Sequence, residues 1–157
     1  MEAKSYTVKI DGIDIISKKL NKYQALENDN FNHHIQTQVV GDPEKNLIVS
    51  FVEVTITKID SPNLIIAEMT IAIGFLVENF KEAFTKDDHD KYVIAIEFQD
   101  LLKSISISTM RGIMYSEFRG TQLHRAVLPI ILLDSLKPVE TDLHSEIQSE
   151  QLRGVKL

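Results

Sequence analysis

The sequence predicts an α+β domain, and three observations carry that expectation. Apolar residues alternate with a period of two through the first half. A short turn cluster links two of the alternating stretches as an antiparallel hairpin. In the second half the apolar spacing changes to steps of mostly three or four, the period of a helix. A sheet with one covered face and one mixed face, and helix packed on the covered side, is the layer arrangement such a pattern requires.

Taken in order, Tyr6, Val8 and Ile10 alternate with Thr7 and Lys9, and Ile13 and Ile15 resume the pattern after Asp11-Gly12, which marks a turn or bulge. His33 to Val40 is a weaker strand, with Ile35 and Val39 set among Gln and Thr, and Gly41-Asp42-Pro43 breaks it. In Leu47 to Ile59, Val52, Val54 and Ile56 face one way, and Glu53, Thr55 and Thr57 the other. After the turn cluster Asp60-Ser61-Pro62-Asn63, the odd positions from Ile65 to Val77 form one apolar face, with Glu68 and Thr70 on the other. Asp87, Asp88, His89 and Asp90 supply capping oxygens and negative charge where a helix begins. Val93, Ile96, Leu101, Leu102, Ile105, Thr109, Ile113 and Met114 then mark a long helix, with an interruption expected near Glu97 to Asp100. Arg119 to Leu133, holding Gly120 and Pro129, has neither period and reads as an extended crossover. Leu136, Val139, Leu143 and Ile147 mark a short amphipathic C-terminal helix.

The chain has 157 residues, 43% of them hydrophobic, enough for one domain with a real core, expected over residues 1–148 with a frayed tail at 149–157. It has no cysteine, which removes disulfides, thiolate zinc sites and cysteine nucleophiles together and fits a reducing cytoplasmic setting. Met1 to Ser5 lack the apolar core of a signal peptide, and no apolar run reaches the roughly 18 residues that a membrane span needs. A formal charge of -6 argues against nucleic acid and anionic membrane as partners. A basic or apolar polypeptide is the easier partner.

No phosphate-binding glycine loop, HExxH or GxSxG motif is present, and six glycines leave little material for one. His33 and His34 are adjacent, so in a strand they face opposite sides and cannot grip one metal together. His124 and His144 have no spaced partner. No cofactor and no metal are expected. Ser104, Ser106, Ser108 and Thr109 read as small polar residues that permit close helix packing rather than as nucleophiles, and Gly112 joins them. In the crossover, Leu123, Val127, Leu128 and Ile131 are either buried core or the wall of a partly exposed apolar groove.

The order of motifs resembles SecB-type export chaperones and their relatives beside toxin–antitoxin systems. A hairpin ending Ile73-Gly74-Phe75 is followed by a polar spacer, a helix carrying Ser108-Thr109-Met110-Arg111-Gly112, and an irregular segment with Leu123 and Leu128-Pro129-Ile130. The resemblance covers Tyr6 to Ile147. It implies a four-stranded antiparallel sheet with a long helix and a short C-terminal helix on one face. It implies a non-enzymatic, ATP-independent holdase for unfolded or precursor polypeptides, assembled as a homo-oligomer (dimer or tetramer) through the long helix at Ile105, Thr109 and Gly112. Peptide would bind at Leu123, Val127, Leu128, Ile131, Leu136 and Val139. The SecA motor, or an antitoxin, would be a partner, with Asp14 and Glu68 at positions where the family carries docking acids.

The chain departs from the family in several places. It reads Arg119-Gly120-Thr121-Gln122-Leu123 where the family has Gly-Phe-Pro-Pro-Leu, it has Lys18 where another acid would fall, and it ends without a metal-binding tail. An oligomeric adaptor or antitoxin-associated chaperone dedicated to one partner is the alternative function.

Overall fold

The alternation in the two central stretches folds as expected. In the computed structural model, which describes residues 7–24, 29–42, 45–86 and 92–131, β3 (Leu47–Lys58) and β4 (Ser61–Val77) pair antiparallel around a turn at Ile59-Asp60. Val52, Val54 and Ile56 lie opposite Ile71, Met69 and Ala67, so the apolar sets of both strands share one side of the sheet. β1 (Val8–Leu20) pairs with the far side of β4, and β2 (Phe31–Asp42) with the far side of β3, which gives the antiparallel order β1-β4-β3-β2. β1 and β2 are therefore the edges.

β1 runs further than its alternation suggested, to Leu20, and carries two bulges, between Ile10 and Gly12 and between Ile15 and Ser17. The first is the break expected at Asp11-Gly12. Each bulge inserts one residue and resets which side chains face which way. Across β1, Ile10, Ile13 and Ile15 lie opposite Phe75, Ile73 and Ile71, on the same side as the core.

Beyond β4 the chain makes a 3-10 turn (Phe80–Ala83) and a two-stranded hairpin, β5 (Phe84–Lys86) with β6 (Tyr92–Ile94). The hairpin packs on the end of β2. A Cβ at Gly41 would stand 3.0 Å from the Phe84 ring, so any larger residue there would have to push the ring aside. Phe80, Ala83 and Ile94 join the core there.

The long helix, α1 (Ile96–Phe118), starts later than the aspartates suggested. Its N-cap is Ala95, with no side-chain cap, and Val93 belongs to β6. Asp87 to Asp90 lie outside the described residues. The helix is continuous through Glu97 to Asp100 and does not stop at Arg111-Gly112. It ends at the second Arg-Gly pair, where Gly120 takes φ 78° beyond the Arg119 cap, the left-handed closure that favours glycine. Phe98, Leu102, Ser106, Met110, Met114 and Phe118 are buried at strict steps of four. Four residues overshoot one turn by about 40° per step, so the buried stripe winds round the helix and α1 crosses the sheet obliquely. It lies over β3 and β2. The result is a four-stranded antiparallel sheet with one long helix on one face, as the resemblance implies. The expected C-terminal helix and tail lie outside the described residues.

Two polar side chains are fully buried in this layer. Ser106 Oγ donates to the Leu102 carbonyl at 2.7 Å. Ser50 Oγ, on β3 opposite Ile73, has no partner among the described residues. An unpaired buried hydroxyl costs more than it returns, so Ser50→Ala should raise stability by about 1 kcal/mol in urea denaturation, with an unchanged dependence on denaturant.

Candidate polypeptide-binding cleft

Among the described residues the helix lies over β3 and β2, and the apolar side chains of the edge strand β1 stay partly exposed. On β1, Ile13 and Ile15 are 44% and 45% exposed although they sit opposite fully buried residues of β4. Ile10 and Leu20 are exposed to a similar degree. Together they form an apolar ledge beside the helix. Lys18, opposite Met69 on this side, reaches across it and bonds to Glu117 near the end of α1.

The ledge leads into a cleft of about 230 Å³ at the end of the sheet, between Leu20, Asn21, Lys22 and Tyr23 on one wall and Thr121, Gln122 and Leu123 on the other. Local bonds fix both walls. Asn21 N–H donates to the Ile66 carbonyl at 2.9 Å, and its side-chain amide donates to the Ile65 carbonyl at 2.7 Å. Tyr23 Oη donates to the Asp29 carboxylate, which also holds Lys58 Nζ at 2.8 Å. That hydrogen bond, with burial adding to it, raises the Tyr23 phenol above its ordinary pKa. On the opposite wall, Thr121 N–H and Oγ1 both donate to the Phe118 carbonyl, and Leu123 N–H donates to Thr121 Oγ1. The turn after the helix is thus self-supporting.

The crossover beyond the turn has no sheet partner, and side chains from two other elements grip its carbonyls. His33 of β2 stands 3.1 Å from the Ala126 carbonyl, which can only accept, so Nε2 carries the proton. Arg111 of α1 donates through Nε to the Leu128 carbonyl at 2.9 Å and through Nη2 to the Pro129 carbonyl at 2.8 Å. This planar fork meets two successive carbonyls with its donors already fixed in place, a geometry that the rotatable ammonium of a lysine does not supply. Sequence reasoning missed Arg111 and His33. The Arg-Gly motif had drawn attention to Arg111 without giving it a task.

The residues expected to bind peptide separate here. Leu123 is 4% and Leu128 1% exposed, and both pack in the core, although Leu123 also floors the cleft. Val127 and Ile131 are half-buried, and Ile130 is 86% exposed. Leu136 and Val139 lie outside the described residues. Asp14 and Glu68 share the sheet's open face, away from the helix: Asp14 is opposite Ala72, and Glu68 pairs with Lys19 at 3.5 Å. On α1, Ile105 is half-buried against the core, Thr109 Oγ1 bonds back to the Ile105 carbonyl at 2.9 Å, and Gly112 is exposed with nothing within 4 Å of where a Cβ would stand. Ile94, Phe98 and Ile107 are buried within the chain. His34 faces away from His33, as adjacency in a strand requires, and is exposed. Among the described residues no cluster of three or more His, Cys, Asp or Glu is placed to hold a metal, and no helix is long and apolar enough to cross a membrane.

No protein-family model matches the sequence, and no curated protein matches it. Among solved structures the chain is similar to the Mycobacterium tuberculosis Rv1957 SecB-like chaperone in complex with a ChAD peptide from the Rv1956 HigA1 antitoxin. The two share 12% identity over 80% of this chain and 85% of that one, with a TM-score of 0.49.

Burial lowers the His33 pKa by more than its bond to Ala126 raises it, so folding disfavours the imidazolium relative to the unfolded chain, where the ordinary value is 6.5. The stability linked to neutral His33 is complete above that value and is lost as pH falls through the lowered one. Acidification below pH 6.5 should therefore destabilise the parent protein. His33→Gln, which keeps an N–H donor for the Ala126 carbonyl and does not titrate, should flatten that part of the profile. Urea denaturation at neutral and mildly acidic pH checks this.

Proposed function

We propose that the chain is an ATP-independent holdase that captures unfolded polypeptide, a chaperone of the SecB kind acting in the cytoplasm on precursor chains. The observation that carries this reading is the apolar ledge of β1 running through Leu20 into the cleft beneath the crossover. Exposed apolar surface of this kind marks protein-binding sites. Burying a leucine or phenylalanine of a client against it contributes about 1.5–3 kcal/mol per side chain, and several such contacts along one chain add through effective concentration. No nucleotide, metal or covalent step is part of this reading.

Leu20→Ser combined with Val127→Ser alters exposed or half-buried positions on the two sides of the site and spares the buried Leu123 and Leu128. The double variant should stay folded and suppress aggregation of a chemically denatured client several-fold less well than the parent. Equal suppression by a folded double variant would refute the assignment of the site.

A second reading, a chaperone or adaptor dedicated to one partner such as an antitoxin, draws on the small size of the cleft, which takes a few side chains rather than a long segment. Quantitative capture from lysate separates the two, since many clients support the general holdase and one dominant protein supports the dedicated form.

For export, the open face is the proposed docking surface for the SecA motor, through Asp14 and Glu68. Reversing both charges should leave the melting temperature nearly unchanged, because exposed ion pairs such as Lys19–Glu68 contribute at most about 1 kcal/mol. It should also weaken SecA binding in a salt-dependent manner, measured by titration.

We propose a homo-oligomer as well, dimer or tetramer, with a second copy packed on the face of α1 that carries Ile105, Thr109 and Gly112. A glycine inside a helix costs about 1 kcal/mol relative to alanine, and no contact within this chain requires one at Gly112. Light scattering should show an assembly larger than the monomer. Gly112→Ala should weaken that assembly while leaving the helix intact, whereas a protein that is monomeric in any case would only gain stability from the change.

A further inference from the structure

We propose that the crossover is a self-occluding strap, which seats its own Leu123 and Leu128 where client side chains are to go and is held shut by Arg111 and His33. The proposal rests on the holdase reading and names how access to that site is controlled.

The strap is held as a length of unfolded chain would be. From Val127 to Ile131 it makes no backbone–backbone hydrogen bond among the described residues and belongs to no strand or helix. Its apolar side chains nevertheless enter the core: Leu123, Ala126 and Leu128 are buried, and Ile131 packs partly against the same cluster. Its carbonyls rest on side-chain donors of two other elements. His33 of β2 takes Ala126, and the Arg111 fork of α1 takes Leu128 and Pro129. Apolar side chains and unpaired carbonyls are what any unfolded client offers, whatever its sequence. The strap therefore occupies its seat on the terms on which a client would bind.

The size of the cleft points the same way. At about 230 Å³ it takes a few side chains, whereas a holdase needs several contacts along one chain. Leu123 floors the cleft and also belongs to the strap, so the cleft and the seat of the strap are continuous. Lifting the strap extends the site from Leu123 toward Leu128 and frees the donors of His33 and Arg111 for the carbonyls of a client. The polar contacts that oppose lifting are the three side-chain bonds to Ala126, Leu128 and Pro129. The turn before it is closed on itself through Thr121 and serves as the hinge. Opening of such a segment is a local event that leaves the sheet ladders in place.

Arg111→Met keeps a long unbranched side chain of similar helix propensity and removes the fork. Hydrogen exchange of the full-length protein should then quicken by about tenfold at the Leu123 and Ala126 amides, the ratio that goes with losing a charge-assisted hydrogen bond, while the amides of β3 and β4 keep their protection. A fluorescein-labelled synthetic peptide with leucine at every third position among serine and glycine should bind the variant several-fold more tightly than the parent, read by anisotropy. Arg111→Lys, which keeps the charge and lacks the fork, should move both readouts in the same direction and serves if Arg111→Met does not fold. Unchanged exchange at the two strap amides, or exchange that quickens equally across β3 and β4, overturns the strap. Faster strap exchange with unchanged or weaker peptide binding overturns self-occlusion and leaves the holdase reading standing. Failure of the peptide to bind parent and variant alike overturns the holdase reading and the strap with it.

Discussion

The one long helix among the described residues is too narrow for the sheet it lies on, and much of the described structure follows from that mismatch. A helix with its side chains is about 10 Å wide, while strands lie about 4.8 Å apart, so one helix spans two strands of four. α1 settles over β3 and β2. The two ends of the covered side are then closed by other means: Phe80, Ala83 and Ile94 at one end, and Leu123, Ala126 and Leu128 at the other. What remains, among the described residues, is the strip along β1, where the isoleucines keep the period of a core strand yet stay partly exposed. The candidate site is the uncovered remainder of the core.

The crossover shows how irregular backbone is held without a ladder. Strands and helices satisfy their own amides and carbonyls; a segment that is neither must borrow partners. Here the lenders are His33, one strand away from the core hairpin, and Arg111, on the solvent flank of the helix. Both are side chains, and side chains can let go at smaller cost than a cooperative ladder can. A wall fixed in this way can adjust its position without unfolding the sheet beneath it. The turn before it, closed on itself by Thr121 and by Gly120 in its left-handed conformation, keeps its shape independently.

Much of this was legible in the sequence. β3 and β4 could be read almost to their ends because both bury one face fully, and alternation is sharpest where burial is complete. The bulge at Asp11-Gly12 announced itself by breaking the period. The start of the helix did not, since Ala95 is a cap without a capping side chain and the three-residue strands β5 and β6 are too short to show any period. Val93 looked helical for the same reason. The division among the crossover leucines was also hidden: Leu123 and Leu128 are buried and Ile130 is bare, and nothing in Leu128-Pro129-Ile130 distinguishes them before the partners at His33 and Arg111 are in place.

The two bulges of β1 have a consequence for assembly. A straight, apolar edge strand is a template on which copies can stack without end, and a strand with exposed isoleucines along it is especially open to that fate. The bulges at Asp11 and Ile16 break the edge into short runs, and Lys9, Lys18 and Lys19 place charge along it. The opposite edge, β2, is a different strand with different side chains, so head-to-tail growth from β1 to β2 lacks a matching surface. The irregular edge thus offers no long straight run on which copies could stack.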